Sequence, residues 1–213
     1  YEDFPTIPGP AEEKKFKIYM SDFINGLKSV WYSSAISSIK PELSSVYIYP
    51  EENEIVFVAT DSFRLAEKRI KTKKKEDFSQ ILIPFRNIPD IIRVFEDVKD
   101  EVEVSLDKNH ISFFYDGLYL TSRVVDGIFP DYKQIIPKEF ITEAVVLKQD
   151  LINAFKMANV FSGAFNQVNI KIKPGKKLFE IKTRNNDVCE NINKISTKKK
   201  KGQFIKLWML ISV

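Results

Sequence analysis

The chain repeats itself once, and the length of that repeat limits what it can be. Residues 22–28 read DFINGLK and residues 150–156 read DLINAFK. Each follows a short β-type segment, FKIYMS at 16–21 and AVVLKQ at 144–149. Each precedes a helix-length pattern and then a hairpin, VYIYPEENEIVFVAT (46–60) in one case and VNIKIKPGKKLFEIKT (168–183) in the other. Pro50 and Pro174 are expected at equivalent turn positions. A period of about 125 residues is the size of a domain, whereas solenoid units run to about 20–50. The 213 residues thus hold one full unit and, from near residue 141, the first half of a second.

Within the first unit the pattern continues. ILIP (81–84) is a short apolar strand, and RNIPDIIRVFED (86–97) reads as a helix with Asn87 as N-cap and Pro89 in the first turn, where its missing N–H costs little. EVEVSLD (101–107) and HISFFY (110–115) are strands, and Asp116-Gly117 is a strong hairpin signal leading into LYLTSRVV (118–125). Strands and helices do not alternate one for one, which argues for an α+β fold with antiparallel sheets rather than a doubly wound one. On the helix expected at 22–39, Phe23, Leu27, Val30 and Trp31 form an apolar stripe. The opposite face is read as Asn25, Gly26, Ser29, Ser33 and Ser37, small and nearly uncharged, with Lys28 on its flank. Such a face either lies against another element or offers a smooth surface for a sliding partner.

Composition excludes several functions. A single cysteine, Cys189, forbids an intrachain disulfide and fits a reducing cytosol. No apolar run approaches the roughly 18 residues of a membrane span. The opening YEDFPTIPGPAEEKKF lacks a signal-peptide layout and reads as a linker, from a chain expected to begin partway through something longer. The one histidine, His110, lies in a strand segment far from Cys189, and neither belongs to a metal-ligand pattern. With seven glycines there is no Gly-rich phosphate loop. An enzyme is not expected, nor a metal or cofactor. The net charge of +4 permits a nucleic-acid partner without requiring one.

The most specific stretch is VATDSFRLA (58–66), a turn holding Thr60, Asp61 and Arg64 around Phe63. It resembles the ATDGHRLA signature of the bacterial DNA polymerase III beta subunit family, the sliding clamps. SRVVDGIFPDYKQIIP (122–137) is similar to the SRLIDGxFPDYxxVIP segment linking that family's second and third domains, and FPTIP (4–8) to the linker after its first. The resemblance covers residues 1 to about 195 and implies a DNA-clamp fold: an antiparallel sheet outside, helices lining a DNA-facing concave side. It divides the chain into a linker from a preceding domain (1–13), a complete middle domain (14–137) and an incomplete C-terminal domain (138–213). It also implies a cytoplasmic, non-catalytic processivity factor. In the family a homodimer ring encircles double-stranded DNA, and partners dock through a peptide cleft: the DNA polymerase III catalytic subunit, the clamp loader and other proteins with clamp-binding motifs.

Carried over by position, the cleft takes Leu43, Thr60, Ser62, Phe63, Arg64 and Leu65, with Pro130, Gln134 and Ile135 from the linker. Leu65 and Ile135 would wall it, Thr60 and Arg64 would bond the peptide, and Asp61 would hold Arg64. Alternatively Asp61, Arg64 and Asp131 serve only the turns. Ser62 and Phe63 replace the commoner Gly-His, which puts a serine where glycine is easiest. Gln134 stands where an arginine is frequent. Lys28, Arg86, Arg93, Lys148 and Lys156 are the expected DNA-facing cations, contacting phosphate nonspecifically. KRIKTKKKED (68–77) reads as a basic loop between strands. From about residue 197 the family pattern fails: TKKKKGQFIKLWMLISV suggests a frame shift, a truncated gene or a basic tail, and half a domain is expected to leave open sheet edges. The competing readings are a truncated or decoy fragment that binds partner peptides but never encircles DNA, and a generic basic nucleic-acid-binding module.

Overall fold

The computed structural model describes residues 14–37, 39–72, 77–136, 142–161, 167–173, 178–185, 189–196 and 204–209. The linker at 1–13, Pro174, Lys73–Lys75 and the four-lysine run at 198–201 lie outside them. The chain divides into two compact units, Tyr1–Pro130 and Asp131–Val213.

The first unit is built from β1 (Lys14–Tyr19), α1 (Met20–Val30), β2 (Ser45–Glu51), β3 (Glu54–Thr60), β4 (Leu65–Lys71), β5 (Ile81–Pro84), α2 (Ile88–Phe95), β6 (Glu101–Leu106), β7 (His110–Tyr115) and β8 (Leu118–Arg123). All its pairings are antiparallel, in two four-stranded sheets ordered β4-β3-β2-β5 and β1-β6-β7-β8. The α+β expectation holds. The two sheets meet where Val125 N–H donates to the Leu82 carbonyl at 2.9 Å and Asn87 Nδ2 donates to Ser122 Oγ at 2.9 Å. Asn87 therefore does not cap α2 with its side chain, as expected from sequence; it ties α2 to β8 instead.

One core joins the sheets to both helices. Phe23 of α1 stands 5.6 Å from Phe57 of β3 and 5.5 Å from Phe113 of β7, and Phe95 of α2 lies 5.5 Å from Phe113. These four rings are buried together with Leu27, Val30, Ile48, Ile88 and Ile91. Such edge-to-face and tilted contacts add to the burial each ring already gains.

Three sequence expectations about α1 are corrected. The helix ends at Val30, followed by a 3-10 turn at Trp31–Ser33, rather than reaching residue 39. Ser34 turns to an extended conformation, in a Ser-rich stretch of weak helix propensity. Gly26 is not on the free face: a Cβ there would lie 2.5 Å from Phe57 Cε2. Ser33 is also buried. The small residues thus let α1 settle on the sheet, and Asn25 is left exposed with Ser29 half-buried.

Pro50 is likewise not in the turn. It lies in β2 opposite Ile55, and Glu52 with φ 55° makes the turn instead. In a two-residue hairpin the Glu51–Glu54 pair closes the ladder, so Pro50–Ile55 is a non-hydrogen-bonded pair and the missing N–H points away from β3. On the other side β5 pairs only as far as Ile48. Asp116 (φ 45°) and Gly117 (φ 77°) form the expected tight hairpin. β1 and β9 each stop before the ends expected for them, because Met20, Ser21, Lys148 and Gln149 are already helical.

The second unit comprises β9 (Thr142–Leu147), α3 (Lys148–Val160), β10 (Asn169–Lys173), β11 (Leu178–Asn185), β12 (Cys189–Ser196) and β13 (Phe204–Met209). β10-β11-β12 form one sheet and β13-β9 another. Ala144, Val146, Leu151, Ala154, Ala158, Phe179, Ile181 and Ile195 make its core. Open sheet edges are expected of half a domain, and one edge of β9 is paired: Leu147 with Phe204 and Thr142 with Met209. In the first unit Tyr19, the residue just before α1, pairs with Glu101, the first residue of β6. β13 thus takes on β9 the seat that β6 takes on β1.

Candidate functional site

The turn between β3 and β4 is held almost entirely by its own side chains. Thr60 Oγ1 donates to the Arg64 carbonyl at 2.7 Å and accepts from Ser62 N–H at 3.2 Å. Asp61 Oδ1 accepts from the N–H groups of Phe63 (3.0 Å) and Arg64 (2.7 Å). Its Oδ2 accepts from Arg64 Nε at 2.9 Å and lies 2.8 Å from a terminal guanidinium nitrogen. The Arg64 N–H, then the guanidinium and the Phe63 N–H, hold the Asp61 carboxyl below its ordinary range, against a smaller opposing effect of burial.

Ser62 pays for this loop with φ 75°, in the left-handed region where glycine is easiest, as its place in the motif leads one to expect. The result is that Phe63 projects with 96% of its surface exposed. Asp61 does hold Arg64. Thr60 and Arg64, expected to bond a peptide, are engaged within the turn, so a peptide would have to share or displace those bonds. The strip beside the turn contains Leu65, half-buried, and the first unit also carries buried Leu43 and exposed Pro130. In the second unit, Tyr132–Gln134 form a 3-10 turn in which Gln134 Nε2 donates to Asp131 Oδ2 at 2.8 Å, and Ile135 is 68% exposed.

The segment after β8 is laid on the outer face of the first unit's sheet. Phe129 is buried there, stacked on Tyr47 at 4.8 Å, and Tyr47 donates from its hydroxyl to Gln80 Oε1 at 2.8 Å. That anchoring brings Pro130 to a fixed place within the unit.

The expected DNA-facing cations are all on or beside helices. Lys28 on α1 pairs with Glu96 at 3.5 Å, and Arg93 on α2 with Asp90 at 2.8 Å. Arg86 sits in the 3-10 turn before α2, 6.0 Å over the Phe85 ring. Lys148 opens α3, and Lys156 is exposed along it. Exposed pairs such as these are worth about 0–1 kcal/mol and do not lock the cations away.

The run at 68–77 is only partly a loop: Lys68–Lys71 belong to β4. Sequence reasoning missed what Arg69 does there. It lies 2.6 Å from Glu51, 2.7 Å from Glu67 and 3.4 Å from Glu54, and Glu67, then Glu51, raise its pKa further against an opposing effect of burial. Strand alternation was the signal that would have found this cluster. His110 lies 3.6 Å from Asp107 at the start of β7. Among the described residues no group of three or more His, Cys, Asp or Glu could hold a metal, and no helix is long and apolar enough to cross a membrane.

Two antiparallel sheets backed by helices, with the β–α–hairpin opening used twice, define a DNA-clamp fold. A family model described as DNA polymerase III beta subunit, central domain, matches residues 17–131, and the chain belongs to that family. The beta sliding clamp of Bacillus subtilis (strain 168) is 24% identical over 205 residues, 95% of this chain and 54% of the relative. That of Rickettsia bellii (strain RML369-C) is 27% identical over 150 residues, 68% of this chain and 39% of the relative. The chain thus spans about half or less of the length of these curated relatives. Among solved structures, the DNA polymerase sliding clamp from Bacillus subtilis superposes with a TM-score of 0.86 at 21% identity, covering 96% of this chain and 55% of that one. The DNA polymerase III subunit beta from Pseudomonas aeruginosa gives 0.82 at 22% identity, covering 97% and 57%.

Proposed function

We propose that the chain works as the middle domain (14–137) and part of the C-terminal domain (138–213) of a sliding clamp, with residues 1–13 as the linker from a preceding domain. In that role it is a cytoplasmic, non-catalytic processivity factor. It forms part of a homodimer ring around double-stranded DNA and tethers the replicative polymerase, the clamp loader and other motif-bearing partners. The observation that supports this best is the family match over residues 17–131, which contains the self-locked turn at 60–65. Leu43, Leu65, Pro130 and Ile135 supply apolar area for a peptide anchor. Thr60, Ser62, Arg64 and Gln134 supply polar groups, and Phe63 adds an exposed ring. Lys28, Arg86, Arg93, Lys148 and Lys156 meet phosphate on the helix side. Weak, water-tolerant contact suits a ring that has to slide.

Fluorescence-polarisation titration of a labelled clamp-binding pentapeptide tests the docking role. Micromolar binding that weakens about tenfold or more in both Arg64→Ala and Leu65→Ala is expected. Binding indifferent to both substitutions would remove the turn from the site. A second reading, a fragment that binds peptides without encircling DNA, is favoured by one observation: among the described residues the second unit has one α-helix where the first has two.

A further inference from the structure

Strand register gives the second unit's three-stranded sheet two distinct faces. Phe179, Ile181 and Ile195 are buried in the core with Leu151, Ala154 and Ala158 of α3. On the opposite face Lys171, Glu180 and Lys194 stand directly across from one another on β10, β11 and β12. Lys173 and Lys182 occupy the flanking rows of that same face. Lys171, Lys173 and Lys194 are exposed. By register that face carries four lysines and Arg184 against two carboxylates, Glu180 and Glu190.

The counterpart face in the first unit has the opposite balance. Glu51, Glu54 and Lys71 form one row across β2, β3 and β4, with Glu67 and Arg69 in the rows beyond it. Three carboxylates there meet two cations. The asymmetry extends to the whole units: residues 1–130 hold 17 Lys+Arg against 22 Asp+Glu, net −5, and residues 131–213 hold 16 against 7, net +9.

We propose that this lysine face of the β10-β11-β12 sheet binds the phosphate backbone of a nucleic-acid duplex. A net charge of +9 over a whole unit matches a polyanion better than a single acidic side chain. Lys171 and Lys173 are two residues apart on an extended strand, about 6.8 Å, or about two base steps of the 3.4 Å per-strand rise. Its described rows hold no aromatic side chain, so there is no platform for unstacked bases and a stacked duplex is the better fit. The surface is on the other side of the sheet from α3, where Lys148 and Lys156 sit, so it is a second contact distinct from the helix-side one.

The test is anisotropy of a labelled duplex titrated with the full 213-residue chain at several salt concentrations. The variant K171E/K173E/K194E is expected to bind at least tenfold more weakly at low salt. Its slope of log K against log salt should fall by about 2–3, at roughly 0.9 per phosphate contact. The K171Q/K173Q/K194Q variant removes charge without facing new carboxylates to Glu180, and should move in the same direction. Unchanged affinity and slope in both variants would overturn the proposal. So would tighter binding of a single strand of equal length through the same lysines. Loss of polyglutamate binding with duplex binding intact would assign the face to an acidic protein instead. Loss of self-association in sedimentation, again with duplex binding intact, would assign it to the acidic unit of a second copy. The pentapeptide titration on the same variants keeps the readings apart: peptide binding that fails in the parent chain, beside lysine-dependent duplex binding, removes the docking role and leaves this one standing.

Discussion

Leu27 and Phe155 stand at the same place in the two copies of the repeat, yet their surroundings differ. Leu27 is fully buried, on a helix that packs against α2, whereas Phe155 is 39% exposed. Met157 and Val160 on α3 are also exposed, at 47% and 75%. Gly26 and Ala154 occupy a second equivalent pair, and both are buried, at 6% for the alanine. The face toward the sheet is therefore set by the local segment alone. The face toward a second helix is set by what the rest of the unit provides. A short sequence repeat encodes one contact surface faithfully and leaves the other to context.

That comparison can be broken by mutation. The largest difference is expected between Leu27→Ala, which should cost the first unit about 2–5 kcal/mol, and Phe155→Ala, which should cost the second less than about 2. Urea unfolding followed by Trp31 fluorescence in a Trp208→Phe background reads the first unit, and Trp208 fluorescence in a Trp31→Phe background reads the second, since the chain has two tryptophans, one in each unit. Comparable losses from both substitutions would mean that α3 is covered as α1 is. Next in size, Gly26→Ala should destabilise by about 1–3 kcal/mol, because the buried Phe57 ring has no room for a methyl group. The mirrored change Ala154→Gly should cost about 1–2 kcal/mol, through helix propensity and the loss of a buried methyl group.

Smaller effects belong to the turn. Ser62→Gly relieves the left-handed backbone and should raise stability by about 0.5–1 kcal/mol, with Phe63 still presented. The pH effect has a definite sign. Asp61 has a lowered pKa in the folded chain, so its stabilising contribution is complete above the ordinary carboxylate pKa of about 4 and is lost as pH falls through the lower folded value. The melting temperature of the parent chain should therefore drop more steeply in that acid window than that of Asp61→Asn. Parallel curves would show that the carboxylate's bonds in the turn contribute nothing to the fold.

Much of this architecture was legible in advance because strand alternation and turn residues are local signals. The hairpin at Asp116-Gly117, the alternating 101–106 strand and the α2 segment follow from side-chain period and φ preference. The misreadings share a cause. Gly26 has no hydrophobicity to register, yet it sits three residues after Phe23, on the buried stripe. Pro50 looks like a turn residue, and only its pairing phase shows that its missing N–H is harmless. Asn87 has the chemistry of a cap, but Ser122 lies within its reach. The motif at 58–66 marked the turn between β3 and β4, while the engagement of Thr60 and Arg64 inside it depends on geometry that residue types do not specify. The lysine face of the second unit needed strand register, since its members are spread over 24 positions of the chain.

The seat of β13 on β9 has a consequence for chain connectivity. Tyr19 and Glu101 close a loop across 82 positions, and Leu147 and Phe204 close one across 57. Loop-closure entropy grows only as the logarithm of length, so these differ by about 0.3 kcal/mol. Omitting a helix and its flanking strand therefore leaves the topological cost of the pairing nearly unchanged. What such an omission removes is burial, and the exposed α3 side chains show where that loss falls. A clamp unit can accordingly be shortened or lengthened between these two strands with little effect on whether they meet.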